Sequence, residues 1–565
     1  MSGLRIEAGE YAARITQRLE ALRADDFHRR LLALDDSLWG QDPVRRRVVA
    51  NRLGWVNAPR SMRDRAAEFR AFADEATQQG YTRVLLLGMG GSSLAPEVLM
   101  RVFGVRAGRL PLTVLDDTSP ASVRAAAALC DPRRTLVLVA SKSGGTVEVS
   151  SFERAFYARA EAASGAEAGR AFAAITDPGT ALEMQAAQKH YRRVFTNPAD
   201  IGGRYSALSC FGLVPAALLG LDTAELCREA EAERDALAAD GGAGFELGAA
   251  LGVLAAAGRD KLTLVMSPEL APLGVWIEQL VAESTGKEGR GILPVDGERL
   301  GTPGTYGSDR VFVAIGFGAL PSATSQALDA LAAAGHPVIR WTRQALEEIG
   351  AEFMRWEIAT ATASAVLGVN PFDEPNVAEA KAATKTVLQQ VASLGGFPVH
   401  EPRARDGALA LHAPAAIAIA GAGAADWAAS FMQLIGPGDY AAVLAYLHRT
   451  DARHGSLERL RHAVRDARRA ATTLGYGPRY LHSTGQLHKG GPRTGVFLEI
   501  TAEEGDEPIP GESHGFQVLR DAQAAGDYDV LSGHELRVMR VHVSGDPEAG
   551  LARLAEAFER AATRG

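Results

Sequence analysis

The hydrophobic rhythm of the chain changes near residue 80. Before that point, residues 10–75 carry apolar positions at helical spacing among many Arg and Glu, with Tyr11, Ile15, Leu19 and Leu22 forming one stripe. Such spacing predicts helices that pack by one face. Beyond it, short runs of Val, Leu and Ile alternate with Ala-rich helical stretches, at 84–87, 112–115, 135–139, 173–176, 262–266, 311–315 and 338–339. Runs that are apolar at successive positions predict strands buried on both faces, the habit of parallel sheets covered by helices. The predicted fold class is therefore α/β and doubly wound.

A Gly- and Asp-rich stretch at 238–245 (AADGGAGF) predicts an exposed connection between two such units. After residue 394 the pattern continues with an amphipathic stretch at 456–471 and strands at 496–500 and 536–543. The expected organisation is a helical segment at 1–75, α/β units at 76–240 and 241–392, and a C-terminal α/β region at 393–565. No short repeat is present.

Composition narrows the function classes. With 47% hydrophobic and 23% charged residues the chain reads as globular, not disordered. Arg5 and its charged neighbours are unlike a signal peptide, and the most apolar stretch, 413–432, holds Pro414 and Asp426, which are costly in lipid. That stretch reads as a packed strand or helix, and a cytoplasmic location without membrane contact is expected. Cys130, Cys210 and Cys227 have neither C-x-x-C nor metal-ligand spacing, so they read as small core residues in a reducing compartment. The net charge of −8 and the absence of a basic stripe argue against a nucleic-acid partner, so an anionic ligand needs a local site.

Two local sites stand out. Gly88-Met89-Gly90-Gly91-Ser92-Ser93 follows the first predicted strand and opens a helix. Glycines let several N–H groups point one way and the helix start adds partial positive charge, which suits a phosphate; tight packing alone explains such a turn equally well. Ser141-Lys142-Ser143-Gly144-Gly145-Thr146 repeats the arrangement with three hydroxyls and an ammonium, and lacks the order of a nucleotide P-loop. Helix capping by one hydroxyl is its plainer reading. Two such loops at the carboxyl ends of strands in one sheet predict a ligand crevice there.

Four further segments complete a pattern: Gly202-Gly203-Arg204-Tyr205-Ser206, Glu283-Ser284-Thr285-Gly286-Lys287, Asn370-Pro371-Phe372-Asp373 leading to Lys381, and His482-Ser483-Thr484-Gly485-Gln486. Together with the two loops they resemble the phosphoglucose isomerase family over about residues 80–545. The resemblance implies two sugar-isomerase (SIS) domains, a hexose 6-phosphate substrate, and neither metal nor organic cofactor. It implies that Gly91, Ser92, Ser141, Lys142, Ser143 and Thr146 hold the phosphate, and that Gly203, Gln279 and Glu374 lie at the sugar. Glu283 is implied as the base moving a proton between C2 and C1 of the open-chain sugar, and Arg204 as the cation stabilising the cis-enediol. His482 and Lys381 are implied in ring opening. From the residues alone, a carboxylate at the negative end of a helix dipole is expected to have a raised pKa, and Gln279 sits one turn earlier on the same face.

The order of segments departs from the family, where the histidine segment lies between the glutamate and the lysine helix. Here it follows both, an arrangement that resembles the isomerase portion of transaldolase–phosphoglucose isomerase fusion proteins, although no transaldolase barrel is read in this chain. In the family the histidine comes from the neighbouring subunit of a homodimer, whereas the transposed segment leaves an origin within the same chain open. Glu374 stands where the family has a glutamine, and either faces the substrate or pairs with Lys381. The expected reaction interconverts glucose 6-phosphate and fructose 6-phosphate. Alternatives are a wider range including mannose 6-phosphate, or a sugar-phosphate-binding SIS protein without catalysis.

Overall fold

The computed structural model describes residues 3–239, 241–397 and 401–563. Three sheets organise it. In the first, five parallel strands run in the order Leu112–Leu115, Arg83–Leu87, Thr135–Ala140, Phe172–Thr176, Arg193–Thr196. Thr135–Ala140 is buried at every position, as an apolar strand covered on both faces must be. The second sheet has Leu293–Val295, Lys261–Met266, Arg310–Phe317 and Val338–Arg343 in parallel. Arg5–Glu7 closes its edge in antiparallel fashion, with Ile6 opposite Ile339. That strand lies in a segment expected to be helical, because three residues of mixed polarity carry no readable period.

The third sheet is mixed. Tyr440–Tyr446, Ala471–Tyr476, Gly495–Ala502 and Arg537–Val543 are parallel, while Leu409–His412 and Ala404–Asp406 add antiparallel edges. The amphipathic stretch expected at 456–471 is the helix Asp451–Arg468, and Ala471 already opens a strand. Of the apolar stretch 413–432, only the part from Ala424 is helical, in Ala424–Gln433. The helices Ala66–Gln78 and Val377–Leu394 run across the expected boundaries at 75 and 392.

The N-terminal helices and both of the first two sheets share one hydrophobic core. At its centre, helix Gly242–Ala256 lies against the buried helix Ile349–Leu367. Gly244, Gly248 and Gly252 make the contact, and a side chain at Gly248 would sit 2.3 Å from the Ala359 carbonyl. Of the exposed connection expected at 238–245, residues 242–245 instead open this helix, with Ala243, Gly244 and Phe245 buried; only the stretch before Gly242 links it to Thr223–Ala236, and Asp240 lies outside the described residues.

The third unit has its own core and packs on the other two. Arg310 of the second sheet, fully buried, reaches Glu298, the Thr263 hydroxyl and the Ala470 carbonyl, joining two units by one guanidinium. This packing carries the His482 segment onto the first two sheets. The three cysteines are buried and free. Among the described residues, no helix is long and apolar enough to cross a membrane.

Candidate functional site

The loop at 88–93 is held where all three units meet. Gly90 has φ +54°, a left-handed conformation that favours glycine, and its α-carbon faces the Gln279 amide and His482. Gly91 lies against the next loop so closely that a Cβ would fall 1.9 Å from the Gly203 carbonyl oxygen. The sequence therefore brings 88–93 and 202–206 together by omitting a side chain. Ser206 fastens the pair by donating to the Gly203 carbonyl at 2.6 Å, while Ser93 donates to Asp116 at 2.8 Å.

Glu283 sits in the last turn of helix Gly274–Thr285, which stops at Gly286. A Cβ on Gly286 would meet the Leu487 α-carbon at 2.4 Å, so glycine is what allows helix Gly485–Gly490 to dock here. Glu283 is 8% exposed. Its Oε1 is 3.0 Å from Arg204 Nη1, and its Oε2 accepts from Gln279 Nε2 at 3.1 Å. The same Gln279 nitrogen donates to the His482 carbonyl at 2.7 Å, tying base helix and histidine segment together. Gln279 Oε1 is buried and has no hydrogen-bond donor among the described residues. Burial pushes the Glu283 carboxyl up; Arg204 opposes this, and the nearby charge of Glu374 adds to it. The pKa is raised in the direction expected, with desolvation leading among its causes.

Arg204 is buried and fixed on every side. Nε donates to Ser284 Oγ at 3.0 Å, Nη2 to the carbonyls of Pro371 and Asp373 at 2.7 and 2.8 Å, and Nη1 reaches Glu374 at 3.2 Å. Burial works against its charge, but Glu283 and Glu374 raise its pKa above the ordinary value, so the cation persists. Glu374 is therefore on Arg204, and the alternative pairing with Lys381 is not formed. Lys287 holds the same turn through the carbonyls of Asn370 and Asp373 and the Asp373 carboxylate, and burial lowers its pKa to about 8.

At the second loop, Ser141 Oγ and Thr146 Oγ1 lie 3.1 Å apart. Thr146 stands at the start of helix Val147–Ser164 without capping it by its side chain, so the plainer reading of that hydroxyl does not hold. Lys142 is turned to Asp177 and the Ala199 carbonyl. The second residue of this helix, Glu148, accepts from or shares a proton with His482 Nε2 at 3.0 Å. Gln523 donates to the same Glu148 oxygen at 2.8 Å and is itself held by Thr118. Burial pushes the Glu148 carboxyl up, but the His482 imidazole, the hydrogen bond to it and the Lys381 ammonium outweigh burial and hold it below the ordinary value. Lys381 itself is exposed on helix Val377–Leu394, within electrostatic reach of Glu148.

The structure thus links Gly91, Gly203, Arg204, Gln279, Glu283, Glu374 and His482 by direct contacts, with His482 joined through Glu148 to the helix that follows 141–146. Sequence reasoning missed Glu148, Gln523 and Ser284. An acid in the first turn of a helix usually serves the dipole, so Glu148 carried no separate signal.

Residues 55–290 match the family described as phosphoglucose isomerase. Over that stretch the chain is similar to phosphoglucose isomerases. It is 28% identical to the glucose-6-phosphate isomerase of Rubrobacter xylanophilus over 418 residues, 63% of this chain and 96% of the relative. It is 31% identical over 270 residues to that of Thermus thermophilus and 35% identical over 244 residues to that of Thermosynechococcus vestitus. These two alignments span 46% and 40% of this chain, and 62% and 46% of the relatives. A crystal structure of a hypothetical protein from Thermus thermophilus superposes with a TM-score of 0.57 at 25% identity, over 68% of this chain and 99% of that one. The family match spans the two loops, Arg204, Gln279 and Glu283; it ends before Lys381 and His482.

Proposed function

We propose that this chain isomerises glucose 6-phosphate and fructose 6-phosphate by acid-base catalysis, in the cytoplasm. The observation that carries the proposal is the pairing of Glu283 with Arg204 at 3.0 Å, within a cluster that also holds His482. A sugar whose phosphate rests on the loops at 88–93 and 141–146 lies between a carboxylate and an imidazole.

His482, oriented by Glu148, passes a proton to the ring oxygen while the C1 hydroxyl gives one up, which opens the ring. Glu283 then takes the proton from C2, forming the enediol, and returns it to C1 with exchange of the hydroxyl and carbonyl positions. The raised Glu283 pKa keeps the proton on the carboxyl long enough for the return. Arg204 stabilises negative charge on the enediol oxygens, a task for a pre-positioned, permanently charged group. Gln279 Oε1 is free to accept from a sugar hydroxyl. The retained base, guanidinium and histidine favour this reading over a sensor that binds without turnover.

The test is a coupled assay with fructose 6-phosphate in the presence of chelator. Conversion to glucose 6-phosphate is expected to proceed unchanged. Binding of several hexose phosphates without turnover would establish the sensor reading instead, and loss of activity to chelator would overturn the acid-base scheme. Mannose 6-phosphate run in parallel defines the substrate range.

A further inference from the structure

A cavity of about 590 Å³, lined by Arg479, Tyr480 and Ser483 next to His482, includes neither Glu283 nor Arg204. Strands Leu112–Leu115, Leu293–Val295 and Ala471–Tyr476 are each an edge of their own sheet, each parallel to its neighbour. The carboxyl end of every one opens on this cavity, through Asp116 and Asp117, Asp296 and Tyr476. The space outside the carboxyl ends of parallel strands is where such sheets hold ligands, and the volume suits a small molecule.

Its charges do not balance internally. Arg101 pairs with Glu97 at 3.1 Å, Arg461 with Glu458 at 2.9 Å, and Arg479 with Glu97 and Asp116. Arg449 is exposed at the rim. Glu278 and Asp296 also line the cavity and make no ion pair among the described residues. Burial and the Asp296 charge push the Glu278 carboxyl up to about 8 against Arg479 and Arg461. Burial likewise raises Asp296 to about 6, with Glu458 adding to the shift, against Arg461, the Gly297 N–H and Arg101. Among the described residues, no group of three or more His, Cys, Asp or Glu is placed to hold a metal ion. Leu94, Val275 and Leu474 give the same cavity an apolar wall.

We propose that this cavity binds a small organic cation of the aliphatic amine class, with an ammonium group between Glu278 and Asp296 and its methylenes on the Leu94, Val275 and Leu474 wall. An ammonium there replaces the missing partner of two carboxyls and favours their ionised form, so binding releases protons near neutral pH. An uncharged molecule of the same shape offers neither effect.

The test is calorimetric titration of the full chain with putrescine, and with the uncharged diol of the same length. Saturable binding of putrescine is expected, with an enthalpy that changes with the ionisation enthalpy of the buffer, and with no competition against fructose 6-phosphate. The Glu278→Gln/Asp296→Asn double variant, shown folded by its thermal transition, is expected to lose affinity about tenfold or more. Absence of saturable binding up to about 10 mM, equal binding of the diol, competition with fructose 6-phosphate, or undiminished binding by the folded double variant overturns the proposal. Proton release by the unaltered protein decides the matter if the variant does not fold: no release contradicts it. Isomerase turnover is measured separately, so failure of the cation site is distinguishable from failure of the functional reading.

Discussion

His482 Nε2 lies 3.0 Å from Glu148 Oε1, and the two residues are brought together from 334 positions apart in the chain. The carboxylate fixes the imidazole ring by a hydrogen bond, and Gln523 and Thr118 fix the carboxylate in turn. On the proposed mechanism Glu148 is thereby a positioning residue for ring opening. Glu148→Gln is expected to lower kcat for fructose 6-phosphate about 10²-fold. It should spare 5-deoxyfructose 6-phosphate, which cannot close a furanose ring; equal losses on both substrates would show a merely structural role.

His482 and Glu283 are joined through Gln279 within one chain, so on the proposed mechanism each chain is expected to carry a complete site. Mixing Glu283→Gln protein with His482→Ala protein is expected to restore no activity. Recovery on mixing, followed by the coupled assay, would mean that the histidine is supplied in trans.

Gly91 has no room for a side chain against the Gly203 carbonyl. Gly91→Ala must push the 88–93 loop away from 202–206, and loss of one charge-assisted contact to phosphate raises KM about tenfold or more. Steady-state kinetics check this, with a normal thermal transition showing that the fold survives.

Glu374 contributes to the pH profile through Glu283. Its negative charge helps raise the Glu283 pKa, and it also draws on Arg204, which favours the ionised base. Removing it in Glu374→Gln lowers the Glu283 pKa, so the acidic limb of kcat/KM against pH moves to lower pH. A limb that stays in place or moves upward would dissociate Glu374 from the base.

Most central strands were legible in the sequence and most edges were not, Leu112–Leu115 being an edge strand that was. Thr135–Ala140 and Arg310–Phe317 are apolar because both faces are covered, whereas Arg193–Thr196 and Leu293–Val295 stand at sheet edges, the first with exposed positions and the second only three residues long. Tyr440–Tyr446 is buried throughout, yet its three alanines suit a helix equally well. At the site, motifs placed Arg204, Glu283 and His482 as candidates. The contacts that tie them together, Gln279 to the His482 carbonyl and Glu148 to the His482 ring, are long-range products of packing and have no local pattern. The left-handed Gly90 and the crowded Gly91 explain afterwards why that loop is glycine-rich.

Glu283→Gln tests the base assignment most directly, since it keeps the side chain's shape and its hydrogen-bonding reach while removing the proton acceptor. Isomerisation is expected to fall by about 10⁴-fold or more, with the affinity for a hexose phosphate that cannot isomerise largely retained. Turnover near that of the unaltered protein would contradict the account.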